Sequence, residues 1–335
     1  MFVITTLQRR TFRQAETQTI LDAAALGGIQ LPYSCKTGRC STCKCKVIDG
    51  QTYAQHDEIG LTEDDKAAGW ILSCVRSAKT DLLLDIEDLG DTSLPIPRTA
   101  PCRIQSLNLL TRDVLCISLR LPPTVDFTFL PGQYIDVIGP NGVRRSYSLS
   151  NAPATDKILH LHVRAVPGGE LSQYWFNQAK ANDLIRLHGP LGTSFLRQIR
   201  GLDLIFLATG TGIAPIKAML EGLANTPGHE QPRSVTVYWG GRVEEDLYLR
   251  NLDELPDKNT PCRFVPVLSR ADASWSGARG HVQDALLQAA PDLAQAVVYA
   301  CGSEAMINSA RAILVDNGLP QARFHSDAFV CSHAL

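Results

Sequence analysis

The pattern of hydrophobic and polar positions along the 335-residue chain changes character three times. Up to about residue 88 the signals are mixed. MFVITTL, KCKVID and LLLDIED are strand-like, QTILDAAALGGI reads as an amphipathic helix stopped by Gly27-Gly28, and TEDDKAAG reads as a short helix capped by Thr62 and ended by Gly69. From about 102 to 200 short β runs dominate: VLCISLRL, QYIDVIG, RRSYSLS, ILHLHVRAV and DLIRLHG. Turn residues separate them at short intervals, which predicts an antiparallel barrel, and LSQYWFNQA is its one good helix candidate. From about 201 strands (DLIFLA, SVTVYWG, FVPVL, AVVYACG) alternate with helices (IAPIKAMLEGLA, HVQDALLQAA, SEAMINSARAIL), which predicts a doubly wound parallel sheet. DLGDTSLPIPRTAP, with three prolines and no periodic apolar face, reads as a linker. The pattern therefore predicts a multi-domain chain: an α+β domain over 1–90, a linker over 91–101, an antiparallel β-barrel over 102–200 and an α/β doubly wound domain over 201–335.

Composition narrows the class. With 44% hydrophobic and 20% charged residues the chain has ample material for cores, and a formal net charge of −2 gives no reason to expect nucleic acid. No apolar run approaches the roughly 18 residues a membrane helix needs. MFVITTLQRR places its basic pair after the apolar stretch, the reverse of secretory order, so the cytoplasm is the expected compartment. Ten cysteines in a long chain of that kind read as metal ligands, catalytic thiols or buried apolar residues rather than as a disulfide framework.

Four cysteines crowd into YSCKTGRCSTCKCK. Cys35, Cys40 and Cys43 are spaced C-x4-C-x2-C, and Cys74 follows far downstream. That is the plant-type [2Fe–2S] ferredoxin spacing with its distant fourth ligand. A structural zinc site normally pairs two close C-x2-C hooks, and only one is present. Lys36, Thr37, Gly38, Ser41 and Thr42 are residues suited to a tight wrap whose N–H groups can face the cluster sulfurs. Cys45, two residues past Cys43 on the outgoing strand, reads as a spare thiol.

Further motifs follow along the chain. Arg145-Ser146-Tyr147-Ser148 is preceded by Pro131-Gly132-Gln133-Tyr134 and followed by Gly169-Glu170-Leu171-Ser172. Gly210-Thr211-Gly212 and Pro215 join a strand to a helix. The ordinary dinucleotide fingerprint would have a third glycine at 215 and an acidic residue about twenty positions on, and both are missing. With these residues the chain resembles a ferredoxin domain fused to a ferredoxin–NADP reductase-like module, which implies a plant-type ferredoxin β-grasp, an FAD-binding barrel and an NAD(P)-binding domain. The resemblance implies that Tyr147 stacks on the isoalloxazine, that Ser148 hydrogen-bonds near its reactive nitrogen, and that Arg145, with the turn at Gly169, Leu171 and Ser172, meets the FAD pyrophosphate. Arg145 and Tyr147, two apart on a strand, can meet one ligand together. G-x-G-x-x-P is similar to that family's nicotinamide pyrophosphate loop. Gly240 and Arg242 end the next strand at the carboxyl edge, where such sheets bind ligands. By the same resemblance Cys301, Gly302 and Met306 (C-G-x-x-x-M) lie at the nicotinamide, Cys301 orienting hydride transfer, and Phe329 covers the flavin face. Trp175 and Phe176 read as core, and His160 and His162 as ordinary histidines.

Ser269-Arg270, where NADPH-using relatives often hold a 2′-phosphate, would favour NADPH with help from Arg242. Trp275-Ser276-Gly277 and Y-W-G-x-R look like NADH users, and NADH is the expectation. The resemblance implies three cofactors, NADH, FAD and a [2Fe–2S] cluster, with Tyr147, Ser148 and Cys301 at the chemistry, and electrons passed singly to a partner protein. Reductases of iron oxygenases share the plan with the CDP-6-deoxy-Δ3,4-glucoseen reductases that serve a pyridoxamine-phosphate-dependent dehydrase. RLPPT, GQYID, RRSYS, NAP, LHVR, YACGS and SDAF look closest to the latter. The alternative is a redox sensor that keeps cluster and flavin without sustained turnover, which would not need an intact hydride-transfer set.

Overall fold

In the computed structural model, which describes residues 1–90, 92–256 and 259–329, the chain divides into two units, residues 1–93 with those from Asp327 on, and residues 94–326. Asp91 of the expected linker and residues 330–335 of the expected third domain lie outside the described residues.

The first unit runs β1 (Phe2–Thr6), β2 (Thr11–Gln14), α1 (Ile20–Leu26), β3 (Lys44–Asp49), β4 (Thr52–Ala54), α2 (Glu63–Ala67), β5 (Trp70–Leu72), β6 (Arg76–Ala78) and β7 (Leu82–Asp85). Its five-stranded sheet has the order β2-β1-β7-β3-β5, with β1 and β7 parallel and the other pairs antiparallel. The helix α1 starts where Thr19 accepts a hydrogen bond from the Asp22 N–H, and its Ile20, Leu21, Ala23 and Ala24 bury against Ile4, Phe12, Leu72 and Leu84. Each large aliphatic removed from water there contributes about 1.5–3 kcal/mol, which is what holds so short a helix in place. In α2 the Thr62 cap is a reciprocal box with Asp65, and Gly69 takes the left-handed turn at φ +83°. The cysteine loop spans the gap between α1 and β3.

The second unit opens with the barrel: β8 (Arg98–Thr111), β9 (Val114–Arg120), β10 (Tyr134–Ile138), β11 (Arg144–Ser148), β12 (Ile158–Arg164), α3 (Glu170–Gln173) and β13 (Leu184–Leu191). The strands follow the order β11-β10-β13-β8-β9-β12, all antiparallel. The ring closes where Leu149 bridges Leu161 and the Ser150 N–H donates to the His160 carbonyl at 2.8 Å. The expected linker is shorter than 91–101, because β8 begins at Arg98. Pro101 sits inside it without breaking a ladder: it pairs with Arg186 of β13, while pairing with β9 begins only at Arg103. The helix expected over LSQYWFNQA is α3 continued by a π-helical turn, Tyr174–Gln178.

The barrel leads into β14 (Asp203–Thr209), α4 (Ile213–Leu223), β15 (Ser234–Gly241), β16 (Cys262–Leu268), β17 (Ala278–Arg279), α5 (Val282–Gln288), β18 (Ala296–Gly302), α6 (Glu304–Asp316) and β19 (Phe324–Ala328). The sheet order is β17-β16-β15-β14-β18-β19, with β14 to β18 joined by parallel pairs. Leu204 to Ala208 are all buried, as a strand covered on both faces must be. The chain order reverses at β14, so the crevice at its carboxyl end is the place for a ligand.

Two histidines, His162 buried and His325 half-buried, make this unit acid-sensitive. Burial, then Lys217 and His160, push His162 down to about 3, with Tyr248 beside it; burial, then Arg197 and Arg311, push His325 down to about 3 where it stacks on Tyr299. Both stay neutral in the fold while the unfolded chain takes up protons near 6.5. Stability is therefore full above pH 6.5 and falls below it by about 1.4 kcal/mol per pH unit per histidine until about pH 3. Thermal unfolding between pH 7.5 and 5 should show Tm dropping below 6.5, and His162→Gln should make the slope shallower; a flat Tm contradicts this reading.

Candidate functional site

The cysteine loop is shaped by three residues with positive φ, Lys36, Gly38 and Ser41. Gly38 is required: a Cβ there would enter the Asp57 carbonyl oxygen. The 56–60 segment is fixed in turn by the buried Glu58, which accepts from the Leu72 N–H at 2.8 Å and pairs with Arg76 at 2.8 Å. Within this frame the thiols form two pairs. The Cys35 and Cys40 N–H groups point at each other's sulfurs at 3.4 Å, and the Thr37 N–H also points at Cys35 Sγ at 3.4 Å. Cys43 and Cys74, far apart in sequence, bring their sulfurs to 3.2 Å. In each pair one thiol is held low by its partner's S–H: Cys35 to about 4 by Cys40, and Cys74 downward by Cys43. Among the described residues no three His, Cys, Asp or Glu side chains converge as on a single metal ion. Two thiol pairs lined by inward N–H groups fit a two-iron cluster, with two thiolates for each iron. Cys45 is fully buried in the domain core, and burial pushes its thiol up.

The next site is built on β11. Arg145 and Tyr147 lie on one face, while Ser146 on the other donates to Asp136 at 2.7 Å. The Tyr147 hydroxyl accepts from the Trp175 indole N–H at 3.2 Å, the two rings meeting edge-on at 76°, and burial pushes Tyr147 up to about 12. The phenol thus stays neutral and its ring is held by a neighbour that is itself buried. Ser148, opposite Tyr134, closes the strand. At α3, Ser172 accepts from the Val166 N–H at 2.8 Å and the Leu171 side chain is in the barrel core, so this turn offers a ligand its first-turn N–H groups.

At the switch point the 210–212 turn is crossed by β18. A Cβ on Gly212 would enter the Cys301 carbonyl oxygen and lie 2.8 Å from Gly302 N; Gly302 itself holds φ +136° against Thr209. The Gly210 carbonyl accepts from Trp239 Nε1 at 2.9 Å. Pro215 lies in the first turn of α4, and a Cβ on Gly240 would meet Val282 at 3.0 Å. Cys301 is completely buried and Met306 nearly so, Met306 standing in the first turn of the helix that Ser303 caps by accepting from the Met306 N–H. On the other side of β14, Arg242 forks onto Asp246 at 3.0 and 3.1 Å. Ser269 and Arg270 stand exposed beside it, the Arg270 N–H bonding the Arg242 carbonyl at 2.8 Å.

Two contributors were not read from the sequence. Trp175 is core, as expected, yet it also orients Tyr147. Arg164, at the end of β12, holds its guanidinium between Asp113 (3.4 Å) and Asp246 (3.8 Å) and over Gly210, where a Cβ would lie 3.3 Å from one Nη. Its Nε and other Nη are buried without a hydrogen-bond partner, the two aspartates lying at ion-pair distance only. The one sequence signal was a charge closing an apolar strand, ILHLHVR; the two aspartates are too distant in sequence to be paired with it by inspection.

A thiol-paired loop, an Arg-x-Tyr-Ser strand on an antiparallel barrel and a glycine turn at the switch of a parallel sheet define an electron-transfer flavoprotein, and the chain belongs to the three-domain iron–sulfur flavin reductases. Residues 5–79 match the 2Fe-2S iron-sulfur cluster binding domain, 101–195 the oxidoreductase FAD-binding domain and 206–312 the oxidoreductase NAD-binding domain. The chain is 43% identical over 321 residues to the CDP-6-deoxy-L-threo-D-glycero-4-hexulose-3-dehydrase reductase of Yersinia pestis, which covers 96% of each chain. It is 33% identical to reductase component 2 of a Comamonas terephthalate 1,2-dioxygenase, over 95% of this chain and 94% of that one. An Amycolatopsis cytochrome P450 reductase of known structure superposes with a TM-score of 0.73 at 28% identity, covering 99% of this chain and 100% of the other. The protein is an NAD(P)H-dependent oxidoreductase with FAD and a [2Fe–2S] cluster, and it delivers electrons to an acceptor protein. When bound, FAD would supply the chemistry that turns a hydride pair from the nicotinamide into single electrons for the cluster. Among the described residues no helix is long and apolar enough to cross a membrane.

Proposed function

We propose that this reductase supplies single electrons to a pyridoxamine-phosphate-dependent dehydrase acting on a nucleotide-linked deoxyhexulose, in the cytoplasm. The observation that carries this is the difference in identity between the two kinds of relative, 43% for a dehydrase reductase and 33% for an oxygenase reductase at equal coverage. The nine described cysteines, none of them in a disulfide, favour the reducing compartment.

The cluster sits on Cys35, Cys40, Cys43 and Cys74 of a ferredoxin domain ending near residue 90. FAD would lie on the barrel that ends near residue 200, with Tyr147 at the ring, Ser148 near its reactive nitrogen, and Arg145 at the pyrophosphate together with the turn at Gly169, whose own N–H is taken by the Val166 carbonyl, and the N–H groups of Leu171 and Ser172. The nicotinamide nucleotide crosses the carboxyl edge of the last domain. Its pyrophosphate rests on Gly210, Thr211, Gly212 and Pro215, with Arg164 as counter-charge. One end reaches Cys301, Gly302 and Met306, the buried Cys301 serving as floor rather than as reactant. The other reaches Gly240, Arg242, Ser269 and Arg270.

NADH is the preferred donor, because Asp246 already occupies the fork of Arg242 that a 2′-phosphate would need. Reconstitution decides both points: the reductase is mixed with such a dehydrase or with an aromatic-ring oxygenase, under NADH or NADPH. The expected result is product from the dehydrase, driven by NADH at higher kcat/KM than NADPH. Turnover with the oxygenase alone, or a strong preference for NADPH, overturns the corresponding half.

A further inference from the structure

One end of α4 begins at the nucleotide turn, and its exposed flank is tied to the barrel by a pair of charges. Lys217 Nζ donates to the Ser150 carbonyl at 3.1 Å and to Glu221, whose other oxygen accepts from the Ala152 N–H at 2.9 Å. These are strand-end groups that the barrel ladder leaves over: the Ser150 N–H is spent on His160, while its carbonyl and the Ala152 N–H are satisfied from α4. On another flank the helix is gripped by glycines. A Cβ on Gly132 would enter Met219, and one on Gly222 would lie 2.9 Å from Pro131.

Both grips converge on the flavin strand. Ser150 and Ala152 follow Ser148 by two and four residues. Pro131 and Gly132 precede Tyr134, which pairs with Ser148, and the Leu149 N–H donates to the Gln133 carbonyl at 3.0 Å. The helix that follows the nucleotide turn is therefore fastened to the segment leaving the strand that carries Tyr147 and Ser148, two and four residues beyond Ser148. At the start of α4 the backbone of Gly212 packs so closely on β18 that an added Cβ would enter the Cys301 carbonyl oxygen.

We propose that the Lys217–Glu221 pair is a positioning element that sets the separation of nicotinamide and flavin for hydride transfer. The inference rests on the site assignments made above. Hydride transfer is sensitive to small displacements, a misplacement of about 1 Å costing on the order of 100-fold. The apolar grip at Gly132 and Gly222 fixes how closely α4 approaches the barrel. The charged grip fixes its slide and rotation, because two directional hydrogen bonds must be met at once. Both charges are spent on Ser150, Ala152 and each other and neither is among the groups assigned to the nucleotide, so the loss of the pair should appear in the chemical step and not in binding.

The test is Lys217→Met and Lys217→Arg in the holoprotein, followed anaerobically by stopped flow. Lys217→Met should slow flavin bleaching at saturating NADH by about 10-fold or more, while the Kd for NADH stays within about 2-fold. The long-wavelength charge-transfer absorbance of NAD⁺ titrated into the dithionite-reduced protein should weaken, and Lys217→Arg should restore both. Glu221→Gln, which keeps an acceptor for Ala152, should lie between and serves if Lys217→Met fails to fold. Wild-type bleaching and charge-transfer absorbance in the folded variants overturn the proposal, as does a Kd that rises by the factor the rate falls. Ser148→Ala run in parallel separates the two levels: if it slows bleaching while Lys217→Met does not, only the positioning role is lost. If Ser148→Ala has no effect, the flavin assignment fails and the proposal with it.

Discussion

Gly212→Ala should lower kcat/KM for NADH by about 100-fold while FAD and iron content stay at wild-type levels. The added methyl has nowhere to go. It would enter the Cys301 carbonyl oxygen and crowd Gly302 N, and both are backbone atoms of a strand locked between β14 and β19. Relief can come only by parting the 210–212 turn from β18, which pulls the two halves of the nucleotide site from one another. Gly210 makes the informative contrast. Its φ of +54° also strains an alanine, but the atom it would meet is the end of the flexible Arg164 side chain, at 3.3 Å. Gly210→Ala should therefore cost several-fold less than Gly212→Ala. Steady-state kinetics with NADH and ferricyanide check both; equal effects, or a loss of FAD in Gly212→Ala, contradict the geometry.

Cys74→Ala should reduce electron delivery to a protein acceptor to background while leaving NADH–ferricyanide turnover, which draws on the flavin, within about 2-fold of wild type. Cys74 is the distant member of the Cys43 pair, so its loss leaves one iron with a single thiolate. Cys45→Ala is the control. That thiol is nearer to Cys43 in sequence, but it is core, fully buried and paired with no other cysteine among the described residues. It should keep the visible spectrum of the cluster at a modest loss of stability. A Cys74→Ala protein that retains the spectrum, or a Cys45→Ala protein that loses it, would reassign the ligands.

The chemistry was more legible in this sequence than the architecture that aims it. Cys35, Cys40, Cys43 and Cys74 stand out because thiolate ligation dictates spacing, and Arg145 to Ser148 because residues two apart on one face of a strand are a local pattern. Runs such as VLCISLRL or DLIFLA read as strands because each is continuous and ends in turn residues. The first strand of the barrel was obscured by Pro101, although Ala100, Cys102 and Ile104 alternate inward as a strand must. The short β2, β4, β5 and β6 carry too few residues to show a period, and tertiary pairing alone makes them strands. Arg164 with Asp113 and Asp246, Trp175 against Tyr147, and Lys217 against Ser150 are all contacts between segments distant in the chain. No window on the sequence spans them. What could be read was the class of cofactor; what could not was the set of contacts between distant segments that join the elements around the site.

The most direct measurement is an anaerobic titration of the purified holoprotein with NADH, following the visible spectrum and the low-temperature paramagnetic resonance together. If hydride pairs become single electrons inside this chain, flavin absorbance falls and the signal of a reduced two-iron cluster grows with added NADH, and Cys74→Ala shows the first change without the second. Flavin bleaching in the wild-type protein with no cluster signal would contradict the account.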